Sequence, residues 1–362
     1  MPGTESVSHD DLIVCTCGSQ EYTLRDAIEA ALFRGELDST WKEFLRCVQA
    51  EKRADELDID LDESAIAAAA EVFRYEHDLI TGEETEAWLA ARGLTLDDFS
   101  DYFTRRYCAS AVNEKVVPEE IEYSSATPKL HQLFMAELIL SGELNRMTTA
   151  LMFRLAARCA EKDLDLDAIT AKKQKFFDRN AMEPAQLPNW LERLGRDSKW
   201  FDEMVAMEAA FRRRCDTLLV PQARQRELMA LRLHLTRFET EVIELESHDA
   251  AQEALFCVRE DGMSMEEVAT EGRYPYRRAD FLLEDIPNDL QQRFLSVSAG
   301  DVLEPVARGE GFELWRIIKK IEPHLEDPTV KLRIGQRLLD RHFSELASKY
   351  TQRRLGAFTS AE

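Results

Sequence analysis

The chain has 362 residues, room for two or three domains and a sizeable core, and 32% of them are charged. Its formal charge of −23 argues against a nucleic-acid backbone or an anionic membrane as the main partner, because both need a basic surface. No stretch approaches the roughly 20 apolar residues of a membrane span, so the composition reads as a soluble protein that favours basic or neutral partners.

The opening residues, Met1 to Asp11, are polar and acidic, with neither the basic segment nor the apolar run of a signal peptide. The expected location is the cytoplasm. Seven cysteines are scattered along the chain, an odd number that does not suggest a disulfide framework. Cys15-Thr-Cys17 is the one close pair, and without a second Cys or His pair beside it the expectation is reduced thiols on an N-terminal strand or loop, not a metal site.

The next two hundred or so residues contain an internal duplication, with landmarks in the same order about 105 residues apart. Gly35-Glu-Leu-Asp38 returns as Gly142-Glu-Leu-Asn145, and Ile59-Asp-Leu-Asp62 as Leu164-Asp-Leu-Asp167. Trp88-Leu-x-x-x-Gly93 returns as Trp190-Leu-x-x-x-Gly195, Phe99 as Phe201, and Pro118 as Pro221. Each copy predicts an amphipathic helix ending at its Gly (Thr23 to Arg34; Lys129 to Ser141), which tolerates the left-handed C-cap. A longer helix comes next (Ser39 to about Leu57; Asn145 to about Lys162). The Asp-Leu-Asp segment then caps a third helix, placing carboxylates at its positive end. A short Trp helix and a last long helix (Asp97 to Ala111; Ser198 to Leu218) complete the copy, the tryptophans reading as core anchors. Pro118 and Pro221 each suit the first turn of a new segment.

After a helix from Gln222 to His234 the pattern leaves helical spacing. Phe238 to Leu245 reads as a strand, Asp249 to Asp261 as a helix, and a further helix opens after Gly262. Pro287 begins another helix, and Val302 to Val306 and Phe312 to Ile321 alternate as strands. From Asp327-Pro328 a last helix carries Val330, Ile334, Leu338, Phe343 and Leu346 on one stripe. Its polar face is basic, with seven Lys/Arg between Lys331 and Arg354 against Asp340 and Glu345. On so acidic a chain, that helix is expected to dock on the acidic helical repeats.

The central unit resembles a parvulin-type peptidyl-prolyl isomerase. The resemblance rests on an Ala-rich helix followed by Gly262-Met-Ser-Met265-Glu-Glu-Val268-Ala269, on Ile286-Pro287 before a helix ending at Phe294, on Ala299-Gly300-Asp-Val302-Leu-Glu-Pro305-Val306, and on Gly311-Phe312 opening the final strand. The helical copies resemble the chaperone region of SurA- and PpiC-type proteins through Asp60-Leu-Asp-Glu63 and Trp88 to Phe99. The resemblance implies a mainly α fold with a small α+β parvulin-like (FKBP-like) domain, two helical repeats, and a C-terminal helix packing back on them. The implied segments are 12–122 and 123–235 for the repeats, 236–323 for the α+β domain and 326–355 for the last helix.

Active parvulins carry two histidines on adjacent central strands beside a Cys or Asp. Here the first position offers Thr240 or Glu241, and the second, after the Gly-aromatic pair, is Glu313; Arg273 to Phe281 replaces a Gly-rich segment. No catalytic residue carries over, and no metal or cofactor is implied. His248 reads as a helix cap. The alternation of a strand puts Glu313, Trp315 and Ile317 on one face. By the family pattern that face meets substrate, so Trp315, Glu313, Phe281, Met265 and Phe294 are the candidate peptide-binding residues, with core filling as the competing role for each.

The expected function is that of a cytoplasmic, chaperone-like protein holding an unfolded or precursor peptide for maturation or export. Two alternatives stay open: a working prolyl isomerase with a divergent site, and a scaffold that only docks a protein partner of a maturation or secretion complex. Nucleic acid and membrane insertion are not expected.

Overall fold

A computed structural model describes residues 12–112, 116–117, 120–161, 163–309 and 311–354. The chain divides into two compact units, Met1–Cys215 with His342–Glu362, and Asp216–Arg341.

The first unit contains the duplication. Copy one is α1 (Leu24–Arg34), α2 (Leu37–Glu56), α3 (Glu63–Glu76), α4 (Gly82–Ala90) and α5 (Leu96–Ala111). Copy two is α6 (Pro128–Leu140), α7 (Glu143–Ala160), α8 (Leu166–Arg179), α9 (Leu187–Arg193) and α10 (Ser198–Leu218). Local chemistry sets these boundaries. Thr23, Thr81 and Thr95 form capping boxes with Asp26, Glu84 and Asp98, and Asp62 and Asp165 cap α3 and α8 through their carboxylates. Gly35 stops α1 at φ 72°, where a side chain is strained and a Cβ would meet Arg179. Pro118 lies outside the described residues, as do Met1 to Asp11 and Leu355.

The copies interleave. Phe33 of α1 stacks on Phe176 of α8 at 4.9 Å and meets Phe201 of α10 at 5.7 Å. In the opposite exchange, Phe134 of α6 packs against Trp41 and Phe44 of α2 at 4.8 and 5.1 Å. Each copy's first helix thus sits among the other copy's later helices, in one continuous apolar cluster. Each exchanged helix also carries a buried carboxylate that a second element must neutralise. Glu29 of α1 pairs with Arg196 and Arg25, and Glu137 of α6 with Arg106. Burial pushes both carboxyls above the ordinary range despite the arginines beside them.

A small antiparallel sheet brings residues 13–23 and 351–353 together; its first strand takes up the strand alternative expected for Cys15 to Cys17, and its other two strands lie outside that expectation. β1 (Ile13–Cys17) lies between β2 (Gln20–Thr23) and β7 (Thr351–Arg353). Arg353 donates to Asn145 and Thr149 on α7, and Phe343 of α15 (Pro328–Tyr350) stacks between Phe153 and Phe211. The end of α15 therefore packs on the helical copies.

The second unit holds α11 (Pro221–Ala230), β3 (Arg237–Leu245), α12 (His248–Arg259), α13 (Met265–Gly272), β4 (Tyr276–Leu282), α14 (Asn288–Ser296), β5 (Val306–Arg308), β6 (Gly311–Ile321) and the first part of α15. The antiparallel sheet runs in the order β4-β3-β6-β5. Two expectations are corrected here. Val302 to Val306 forms only a single bridge, Val302 to Arg316, before β5 begins. Ser247, not His248, caps α12, while the His248 ring meets Phe312 at 5.3 Å. The basic residues of the last segment divide: Arg353 bonds α7, whereas Arg333 and Arg337 bind Glu284, Arg333 also binds Asp285, and Arg341 binds Glu227 of α11. Arginines at i, i+4 and i+8 on one helix face find carboxylates within their own unit.

Candidate functional site

The sheet of the second unit has two faces with separate cores. On one face lie Phe238 and Val242 of β3, Ala279 and Phe281 of β4, and Trp315 and Ile317 of β6, covered by Leu290 and Phe294 of α14. On the other lie Ile243, Leu245 and Leu314, covered by α12 and α13. Trp315, Phe281, Phe294 and Glu313 therefore come together, whereas Met265 is fully buried against the opposite face. Its position results from α13 passing beneath the sheet, which strand alternation does not reveal.

The aromatic group is closed. Trp315 meets Phe281 at 5.4 Å and Phe294 at 5.5 Å, and only 6% of Trp315 and 1% of Phe294 remain exposed. These two rings are core, and Phe281 alone is half-buried. Trp315 Nε1 has no hydrogen-bond acceptor among the described residues.

Glu313 sits at the second histidine position of the resemblance and is clamped. Its carboxylate accepts from Arg277 at 3.1 Å and from Arg308 at 3.4 Å; Arg277 also donates to Glu244 at 3.3 Å and lies 5.5 Å over the Trp315 ring. At the first position Thr240 shares this face, and its hydroxyl donates to the Ala279 carbonyl at 3.0 Å. Glu241 points the other way and accepts from Tyr276 Oη at 2.8 Å. Both histidine positions thus hold side chains committed to hydrogen bonds or ion pairs, and a shallow concavity of about 390 Å³ lined by Glu239, Thr240, Arg278, Ala279, Asp280, Ile318 and Lys319 adjoins the first. Arg273 to Phe281 nonetheless supplies β4, paired with β3 from Tyr276 onward.

A larger concavity lies in the helical unit. A half-open cleft of about 910 Å³ runs between α1–α2 of copy one, the segment joining the copies, and α8–α9 of copy two. Trp41, Leu37 and Leu45 form one wall, Ile121, Tyr123 and Val117 the middle, and Met182 and Trp190 the other wall. Trp41 Nε1 donates to the Ile121 carbonyl at 2.6 Å and its ring meets Tyr123 edge-on at 5.4 Å, which holds the linking segment against α2. Val117 is 71% exposed and Trp190 half-buried, so apolar surface is presented to solvent. Asp38, Lys42, Glu120 and Arg193 edge the cleft, and Arg193 pairs with Glu122 at 3.2 Å. Sequence reasoning assigns Trp190 to the core and passes over Trp41 entirely. The signal available is the joining segment itself, which links the copies and brings Val117, Ile121 and Tyr123 to one place.

The cysteine pair lies on β1. Cys15 is buried, and Cys17 Sγ lies 3.2 Å from Cys159 Sγ at the end of α7. Burial pushes the Cys17 thiol up to about 12, helped by Cys159, so the protonated thiol prevails at neutral pH. All seven cysteines are free thiols, and among the described residues no set of three ligands is placed to hold a metal.

No protein-family model and no curated protein matches the chain. Solved structures similar to it include the peptidylprolyl isomerase PrsA of Bacillus cereus, at 11% identity and a TM-score of 0.36 over 62% of this chain and 86% of that one. PrsA of Bacillus anthracis matches at 14% identity and 0.31, over 56% and 94%. A structure from the study of the SurA-like chaperones PEB4 and Cj1289 of Campylobacter jejuni matches at 8% identity and 0.20, over 60% and 88%.

Proposed function

We propose that this protein is a chaperone-like holder of unfolded or precursor peptides, with the cleft between its helical copies as the principal binding site and the parvulin-like unit catalytically silent. The observation that carries the reading is the half-open cleft of about 910 Å³, in which half-buried Trp190 and Met182 and exposed Val117 face the opening above a floor of buried Trp41. A cleft of this size with mixed apolar and polar walls suits an extended segment with aromatic or aliphatic side chains. Its width is set by two interleaved copies, so it is a pre-formed concavity.

The silence of the second unit is argued from Glu313 and Thr240. Prolyl isomerisation requires an apolar pocket around the twisted amide. The Glu313 position is instead ionic, locked to Arg277 and Arg308, and Trp315 and Phe294 fill the space beside it. Seven free thiols fit a reducing compartment, which is why we place the protein in the cytoplasm. A precursor peptide awaiting maturation or export fits the same chemistry.

The test is binding of a permanently unfolded, carboxymethylated model protein, followed by fluorescence anisotropy. Trp190→Ala and Val117→Asp, both at accessible positions, are expected to weaken binding about tenfold, as loss of an aromatic anchor does. Unchanged affinity in both variants sinks the assignment of the cleft. In parallel, the full chain is expected to give no acceleration of prolyl isomerisation; acceleration lost on Glu313→Ala would establish an active site instead.

A further inference from the structure

The duplication supplies an internal control for reading surfaces. α3 and α8 are equivalent: Phe73 and Phe176 are both buried, each edge-on to its copy's tryptophan (Trp88 at 5.6 Å; Trp190 at 5.2 Å) and to its copy's phenylalanine (Phe99 at 5.4 Å; Phe201 at 5.1 Å). With that alignment the outward faces of the two helices can be compared position by position.

On α3 the core side is Ile66, Ala70 and Phe73. A second stripe, Ala65, Ala68, Val72 and Tyr75, is exposed and repeats at the spacing of a heptad seam. Val72 is 55% and Tyr75 62% exposed, an apolar face without a covering element among the described residues. The equivalent positions on α8 are Ala168, Ala171, Lys175 and Asp178, so the same helix in copy two carries charge where copy one carries Val and Tyr. Small residues at two of the four seam positions allow a partner helix to approach closely.

Charge separates the copies as sharply. Residues 55–86, which surround α3, hold twelve Asp/Glu against one Arg; the equivalent residues 158–189 hold six of each sign. An acidic border around a heptad seam repels a second copy of itself and attracts a cationic helix. We infer that the exposed face of α3 is a docking surface for a basic amphipathic helix of a partner protein. This surface is independent of the cleft reading.

The test uses full-length protein and a fluorescent leucine–lysine peptide of about five helical turns. Val72→Lys with Tyr75→Asp installs the residues that copy two already carries at exposed positions, so folding is preserved and circular dichroism confirms it. The double variant is expected to weaken binding about tenfold or more, and binding to the parent protein is expected to fall steeply with salt. A leucine–glutamate peptide of the same length is expected not to bind. Equal affinity for parent and variant, or equal affinity for both peptides, overturns the inference. So does a parent protein that dimerises in gel filtration and becomes monomeric on Val72→Lys with Tyr75→Asp, since the seam would then serve self-association. The Trp190→Ala variant, tested with the same peptide, is expected to bind as the parent does, which keeps failure of the cleft reading distinct from failure of this one.

Discussion

Two apolar faces of this protein are candidates for a peptide site, and they differ in what already fills them. On the sheet of the α+β unit, Phe238, Phe281, Phe294 and Trp315 close on one another and Glu313 is tied to two arginines. In the helical unit, interleaving of two copies leaves half-buried Trp190 and Met182 and exposed Val117 lining a cleft whose floor is the buried Trp41. The difference shows that a resemblance locates a fold more safely than it locates a site. The sheet face is filled by its own aromatic side chains, whereas the duplication forms a cleft lined by residues of both copies.

The comparison depends first on the interleaving. Phe134→Ala removes the ring that α6 inserts between Trp41 and Phe44, and is expected to cost about 3–5 kcal/mol by the usual toll of a buried Phe truncation. Urea unfolding followed at the helical signal measures it. A loss below about 1 kcal/mol would mean that α6 does not anchor copy one.

Next come the buried carboxylates. Glu29→Ala leaves Arg196 without its most buried partner and is expected to cost about 2 kcal/mol, below the range for fully buried pairs because the arginines reach solvent. Its pH dependence separates the two units. Burial holds the folded Glu29 and Glu137 above the ordinary 4.5, so their contribution is complete below that value and is lost as pH rises through their higher folded values. Asp327 of the α+β unit behaves oppositely. Although partial burial pushes it up, the backbone N–H groups of Val330 and Thr329 and the Arg237 guanidinium hold it below the ordinary 3.8. Its contribution is present above 3.8 and fades as pH falls through the lower folded value. Asp327→Asn keeps a capping oxygen but loses the ion pair with Arg237, and should therefore cost up to about 1 kcal/mol and flatten the acid limb of the unfolding curve. Glu29→Gln should flatten the limb above 4.5. Identical pH profiles for the parent and both variants would remove this distinction between the units.

The smallest expected effect is on binding through the sheet. Glu313→Ala breaks ion pairs whose arginines are roughly half exposed, and should leave affinity for an unfolded client within about twofold and stability within about 1 kcal/mol.

Much of the helical frame was legible because its signals are local. Thr23, Asp62, Thr95 and Asp165 cap the helices that the pattern begins there, and Gly35 ends α1. The hidden features depend on contacts between distant parts of the chain. β7 lies more than 300 residues from β1, and three residues of strand at a helix end carry no periodic signal. The exchange of α1 and α6 is equally silent, since each helix shows an apolar face whichever copy receives it. The candidate site divided along the same line. Alternation places Glu313, Trp315 and Ile317 on one face of β6, but no period tells on which side of the sheet Met265, at the start of a helix, will lie. Trp315 reads as an aromatic that could line a groove; in the structure it is 6% exposed and packed against Phe281 and Phe294.

The most direct test of the central claim places a photoreactive side chain either at Asn189 on the cleft wall or at Phe281 on the sheet face, and captures a bound unfolded client by illumination. The account predicts strong crosslinking from position 189 and background crosslinking from position 281. Capture from position 281 with none from position 189 would contradict it, and would move the peptide site to the sheet of the α+β unit.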